Sequence, residues 1–283
     1  MSKKALLVGI NYVDTPNELE GCINDVLHVQ QFLIEKCGWT EENIELLTDN
    51  TTSKPTRANI ETKLQALVQS AQAGDTVLFH YSGHGSRVRD RSRDESDGVD
   101  EVLVPLDYPT AGMILDDWLW QQVCCKVPAQ VTFWAFMDCC HSGTAMDLRC
   151  NYRSSCRLKQ GRLQRNAPYV ASDWTDQFAF ALERSRDLPA GTGNVYAFSG
   201  ALDAEYAADA LIDSKHQGAF TFALLKTLES NLDPNTGKWV ANRLRIRNAL
   251  KEINCRLDLS GYLRQQCQLS LSKTDLFETF LDL

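Results

Sequence analysis

The 283 residues suffice for one large α/β domain or two small ones with a substantial buried core. Hydrophobic residues at 43% and charged residues at 23% are ordinary for a globular chain, and the net charge of −8 argues against nucleic acid while suiting cationic partners. Ten cysteines are too few for a disulfide scaffold at this length, so most are expected to be reduced and buried. The opening MSKKALLVGI has only a strand-length apolar run, too short for a signal core or a membrane span, so no membrane association and a cytoplasmic location are expected.

Lys3–Ile10 reads as a buried strand and Asn11–Gly21 as a loop. Ile23, Val26, Val29, Phe32 and Leu33 then fall at helical spacing over 22–36, with Gly38 as the stop. Ile44–Leu47 is a second strand, and Thr56 caps a helix striped by Ile60, Leu64, Leu67 and Val68. A third strand starts at Asp75 and runs to His84, after which 87–100 is a dense charged loop. A short strand at 102–104 and a helix from Asp116 through Val123 lead to the apolar run VTFWAFM from Val131, which stops at Asp138. From Leu148 to about Ala167 the chain is polar and arginine-rich without useful periodicity and reads as a long exposed loop. A strand at 194–199, helices at 220–232 and 240–253, and a strand at 266–271 complete a βαβ alternation. That pattern predicts an α/β fold: a mainly parallel central sheet with helices on both faces.

The chemistry gathers at two strand ends, where open α/β sheets place their sites. One strand ends in Asp138, Cys139, Cys140, His141, Ser142, Gly143, and the other in Ser82, Gly83, His84, Gly85. Side chains alternate along a strand, so Asp138, Cys140, Ser82 and His84 share one side and Cys139 turns away. A thiolate made available by a neighbouring imidazole is a nucleophile, which gives Cys140 and His84 as the catalytic pair. Gly85 leaves room for substrate backbone, and its N–H joins that of Cys140 as a candidate oxyanion hole. No C-x2-C pairing spaces the sulfurs as zinc ligands, and Cys124, Cys125, Trp118, Trp120 and Trp134 read as packing residues.

HYSGHG (His80–Gly85) and DCCHSG (Asp138–Gly143) strongly resemble the type I metacaspases, relatives of the caspases. The likeness extends to GCINDV at Gly21, DGVDEVLVPLD at Asp97, ILDD at Ile114, FSGALDAEYAAD at Phe198 and GAFTFALL at Gly218. It implies a caspase-like fold over a single domain, 1–283. The Cys/His site would lie in a large-subunit-like part (about 1–148), followed by a basic loop (149–167) and a small-subunit-like part (168–283). It also implies cleavage of polypeptides after Arg or Lys, with Cys22, Asp25, Ser82 and Asp138 carried over as the substrate pocket. Asp25 and Asp138 would there form a buried carboxylate pair that becomes favourable when a guanidinium arrives. Asp203 and Glu205 are further candidates for the groove. One departure is Ala201, where the family commonly has cysteine.

By the same resemblance Asp100, Asp116, Asp117 and Asp147 match calcium ligands, and all-oxygen ligation suits Ca2+; Asp94, Glu95 and Asp97 are spare carboxylates nearby. The expectation is therefore a calcium-dependent, monomeric cysteine endopeptidase. Its basic stretch, with Arg149, Arg153, Arg157, Lys159, Arg162 and Arg165, would be a zymogen's own processing site. The alternative is a non-catalytic caspase-fold scaffold. A caspase-like preference for acidic residues is disfavoured by Asp25 and Asp138.

Overall fold

Apolar, β-branched runs become buried strands, and the 3.6-residue stripes become the helices that cover them. The computed structural model describes residues 1–89, 99–140, 146–158, 174–182, 187–201, 209–212, 215–259 and 265–283. In chain order the first half holds β1 (Lys3–Gly9), α1 (Cys22–Cys37), β2 (Ile44–Thr48), α2 (Arg57–Gln69), β3 (Thr76–Ser82), β4 (Gly85–Arg89), β5 (Val99–Leu103), α3 (Tyr108–Ala111), β6 (Ile114–Leu115), α4 (Asp116–Gln122) and β7 (Thr132–Asp138). The second half holds β8 (Cys150–Leu158), β9 (Trp174–Leu182), β10 (Asn194–Ser199), β11 (Asp209–Ile212), β12 (Lys215–Gly218), α5 (Ala219–Ser230), α6 (Ile246–Leu259) and β13 (Gln268–Leu271).

The main sheet runs β2-β1-β3-β7-β10-β13-β8-β9. Its first five strands pair in parallel, and the last three are added antiparallel. One face carries α1, α5 and α6 over Leu7, Leu78, Trp134 and Phe198. The other carries α2 and α4 over Val8, Phe79, Phe133 and Ala197. This is the expected α/β layering, and each fully buried Leu, Val or Phe contributes about 1.5–3 kcal/mol. Two local signals read from sequence are present: Thr56 Oγ1 accepts from the Asn59 N–H at 3.3 Å, and Gly38 closes α1 with φ 71°. Trp134 packs as expected, stacked on Tyr196 at 4.2 Å between ring centroids.

Several sequence expectations are corrected. The third strand ends at Ser82, and 85–89 with 99–103 form two antiparallel strands of a small β4-β5-β6 sheet, so the charged loop is shorter than the composition implied. The exposed loop foreseen from Leu148 starts instead as strand β8, held between β13 and β9. Its Arg153 Nε donates to Gln268 Oε1 at 2.7 Å, a non-local partner that no periodicity announces. The helix foreseen from Val240 begins at Ile246, because the preceding backbone pairs with the C-terminal segment through Ile246 N–H to Thr279 O and Leu281 N–H to Leu244 O. Cys22, Cys37, Cys124, Cys139, Cys150 and Cys267 are buried thiols outside any disulfide, whereas Cys255 is disulfide-bonded. No helix among the described residues is long and apolar enough to cross a membrane.

Candidate active site

Strands β3 and β7 pair in register with Ser82 opposite Asp138, so His84 and Cys140 each stand two residues beyond that last pair. The Gly83 N–H donates to the Asp138 carbonyl at 3.3 Å and holds the two strand ends together. Strand alternation sends Cys139 into the core under α2 and α4, 1% exposed, while Cys140 is half-buried. Gly85 passes so close to Cys140 that an added Cβ would lie 2.0 Å from the Cys140 carbonyl oxygen. Only glycine fits that approach, and it sets the Gly85 peptide beside the nucleophile's own backbone.

His84 is oriented by the loop between β1 and α1. Its Nε2 lies 2.7 Å from the Asn17 carbonyl oxygen, which can only accept, so the ring proton belongs on Nε2 and Nδ1 is the basic nitrogen. The imidazole also packs on the Tyr12 ring, with centroids 4.7 Å apart. Sequence reading passed over Asn17 and Tyr12, because one acts through a backbone carbonyl and the other through its place in a loop.

Asp25, Ser82 and Asp138, expected from sequence to form the substrate pocket, come together around Gly218. Asp25 is buried on α1 and accepts from Ser82 Oγ at 2.7 Å and from the Gly218 N–H at 2.9 Å. Asp138 accepts from both the N–H and the Oγ1 of Thr221 at 2.8 Å. An added Cβ on Gly218 would lie 2.1 Å from Asp138 Oδ2 and 2.8 Å from Asp25 Oδ2, so both carboxylates crowd one glycine at the start of α5. The expectation of a pair left costly until a cation arrives is corrected: the N-terminal peptides of α5 and their dipole receive both charges. Gly218 and Thr221 were legible only as part of the GAFTFALL motif. Cys22, one turn before Asp25 on α1, is buried. Along the same face of β3, His80 is wholly buried. Its Nδ1 donates to the Phe136 carbonyl at 3.0 Å, its Nε2 has no partner, and burial pushes the imidazole down to about 4.

A second group of acids lies on the small sheet. Asp100, Glu101 and Asp116 are buried at 5%, 3% and 3% exposure, with Arg87 Nε 3.7 Å from Glu101 as a neighbouring cation. Asp116 accepts from the Glu101 N–H at 2.9 Å and the Asp117 N–H at 2.7 Å. Even so, burial first, and then the charges of Glu101 and Asp100, push its carboxyl up to about 9. Asp117 follows it at the start of α4. Asp147 is buried with φ 45°, and its charge reaches the thiols of Cys124 and Cys125. An all-oxygen, net-negative donor set suits a hard cation. Yet no group of three or more His, Cys, Asp or Glu among the described residues is arranged to hold a metal, so the structure shows the chemistry of such a site and not its closed geometry. Asp94, Glu95, Asp97, Asp203 and Glu205 lie outside the described residues.

A family model described as metacaspase, peptidase C14 domain, matches residues 3–149. Metacaspase-1B of Aspergillus oryzae is 36% identical, with 95% of this chain and 68% of that one covered. Metacaspase-1 of Cryptococcus neoformans var. neoformans is 38% identical over 80% of this chain, which spans 55% of that relative. Among solved structures, protein GSU0716 from Geobacter sulfurreducens superposes with a TM-score of 0.64 over 99% of this chain and 100% of that one; at 23% identity this speaks for the fold alone. The chain belongs to the metacaspases, a family of cysteine peptidases with a caspase-like α/β fold.

Proposed function

We propose that this metacaspase is a calcium-dependent endopeptidase that cleaves polypeptides after Arg or Lys. The observation that carries the specificity is the convergence of Asp25 and Asp138 on Gly218, at the end of the strand that leads to Cys140. Two buried carboxylates converging on one small residue suit a planar guanidinium or an ammonium and repel an acidic side chain.

The residues divide the chemistry as follows. Cys140 Sγ bonds to the scissile carbonyl carbon as its proton passes to His84 Nδ1, the nitrogen left basic by the Asn17 contact. The N–H groups of Gly85 and Cys140 receive the developing oxyanion. Collapse breaks the C–N bond, and Nδ1 returns the proton to the leaving amine. Water then adds to the thioester, giving one proton to Nδ1, which restores the thiol as the acid departs. Asp100, Asp116, Asp117 and Asp147 would hold calcium, whose charge would offset carboxylates that now crowd one another.

The proposed self-cleavage falls within a narrower stretch than composition implied. Arg153 is paired with strands on both sides and Arg157 with β9, and Arg149 is bonded to Asp187 at 2.5 Å. Lys159, Arg162 and Arg165, outside the described residues, are the proposed points. The test of the whole reading is a fluorogenic peptide panel with Arg, Lys or Asp before the scissile bond, with and without calcium. Cleavage of the Arg and Lys peptides only, strongly reduced without calcium, is expected; efficient cleavage of the Asp peptide contradicts it.

A further inference from the structure

We infer that Tyr12 is a positioning residue for His84, and that the tyrosine pair Tyr12–Tyr81 clamps the His84 backbone so that the imidazole, its tautomer set by the Asn17 carbonyl, meets Cys140. The inference rests on the reading of His84 and Cys140 as the catalytic pair and adds a component to it.

The clamp is built from both peptide groups of His84. Tyr12 Oη accepts the His84 N–H at 3.0 Å and donates to the Val104 carbonyl at 2.6 Å. Tyr81 Oη donates to the His84 carbonyl at 2.8 Å and accepts the Val104 N–H at 3.2 Å. The two hydroxyls lie 3.3 Å apart, and both side chains are buried, at 1% and 0% exposure. Burial holds both phenols above their ordinary range, so they stay protonated donors at any working pH. His84 sits between β3 and β4, where the Val104 N–H donates to its carbonyl at 3.2 Å, and the two tyrosine hydroxyls add to that backbone bond.

The residues around the clamp are fitted to it. An added Cβ on Gly83 would lie 2.9 Å from Tyr81 Oη and 3.1 Å from Tyr12 Oη, so glycine at 83 is what lets both hydroxyls reach the backbone. Tyr12 itself is held at φ 52°, a left-handed conformation that costs a bulky residue about 1 kcal/mol or more. Thr15 secures that turn through its N–H and Oγ1, both donating to the Tyr12 carbonyl, at 3.1 and 2.7 Å. The same loop presents the Asn17 carbonyl to His84 Nε2, and the Tyr12 ring underlies the imidazole. One loop thereby fixes the ring plane, the backbone and the tautomer together.

The experiment uses the full chain with calcium and compares wild type with Tyr12→Phe, which loses the hydroxyl and keeps the ring, and with Gly83→Ala. The readouts are kcat and KM on an Arg peptide and the pH dependence of iodoacetamide alkylation of Cys140. Both variants are expected to lose kcat by about tenfold to a hundredfold with little change in KM, since small misplacements of reacting groups cost that much. The alkylation limb should move up toward that of an unassisted thiol, near pH 8.5. A lower melting temperature with unchanged kcat and an unmoved alkylation limb overturns the inference, because a merely structural tyrosine would give that. Should Tyr12→Phe fail to fold, Tyr81→Phe removes the other half of the clamp and is read the same way. If wild-type Cys140 itself alkylates only as an unassisted thiol, the catalytic pairing fails; a wild-type low-pH limb shared by the variants removes only the role of Tyr12.

Discussion

Two groups of buried carboxylates lie on either side of the strand ends, and the fold treats them in opposite ways. Asp25 and Asp138 are each received by donors at the start of α5, and Ser82 adds a second hydroxyl contact beside that of Thr221. Asp100, Glu101 and Asp116 press on one another instead, and burial with that crowding lifts the Asp116 carboxyl to about 9. A group received by peptide N–H groups and hydroxyls is, on the proposed reading, a preformed receptor for a cationic side chain. A group that drives its own member toward neutrality is incomplete without a cation. On the proposed reading the same residue type would serve recognition in one place and metal binding in the other, with its neighbours deciding which.

The largest effect expected from this contrast is at Asp138. Asp138→Ala should lower kcat/KM on Arg peptides by about a hundredfold or more, as loss of one partner from a buried charge pair does. Unchanged turnover would remove Asp138 from recognition. Next comes the second group: chelation should reduce activity by about thirtyfold, within the usual range of coupling between distinct sites, and Asp117→Ala should mimic it. Full activity in excess chelator would leave the crowded acids without a metal role.

How far these features were legible in the sequence depended on how locally they were determined. Strands β3 and β7 announced themselves as apolar runs halted by chemistry, and parity alone separated Cys139 from Cys140. Strand β8 did not, because Cys150–Leu158 mixes Arg153 and Arg157 with serines and takes its place from β13 and β9, far away in the chain. The carboxylate pocket was half visible. Asp25 and Asp138 could be named, but their donors at Gly218 and Thr221 come from a helix about 80 residues beyond Asp138 and about 195 beyond Asp25. Asn17 was invisible because a backbone carbonyl has no letter. Glu101 was missed beside Asp100 because a strand carboxylate reads as solvated until burial is known.

Smaller effects sharpen the comparison further. His80, buried neutral beside the satisfied pair, has a folded-state value of about 4 against about 6.5 unfolded. The unfolded chain therefore binds the extra proton between those values, so stability is full above pH 6.5 and falls as pH drops toward 4. By pH 5 the loss should be about 2 kcal/mol, and His80→Phe should abolish that acid limb in urea titrations. An unchanged limb would place the acid sensitivity elsewhere. Smallest of all is Cys139→Ala, which removes a core thiol on the far side of the sheet. It should keep activity within about threefold of wild type, where Cys140→Ala loses it. A dead Cys139→Ala variant with normal folding would reverse the assignment of the nucleophile.

The central claim is that a preformed carboxylate pair reads the positive charge of the substrate. Citrulline matches arginine in shape and lacks its charge, so the direct measurement is kcat/KM for matched Arg and citrulline peptides, on wild type and on Asp138→Asn, in calcium. The account predicts that wild type prefers Arg by about a hundredfold or more and that Asp138→Asn loses most of that preference. Equal cleavage of the two peptides by wild type would contradict it.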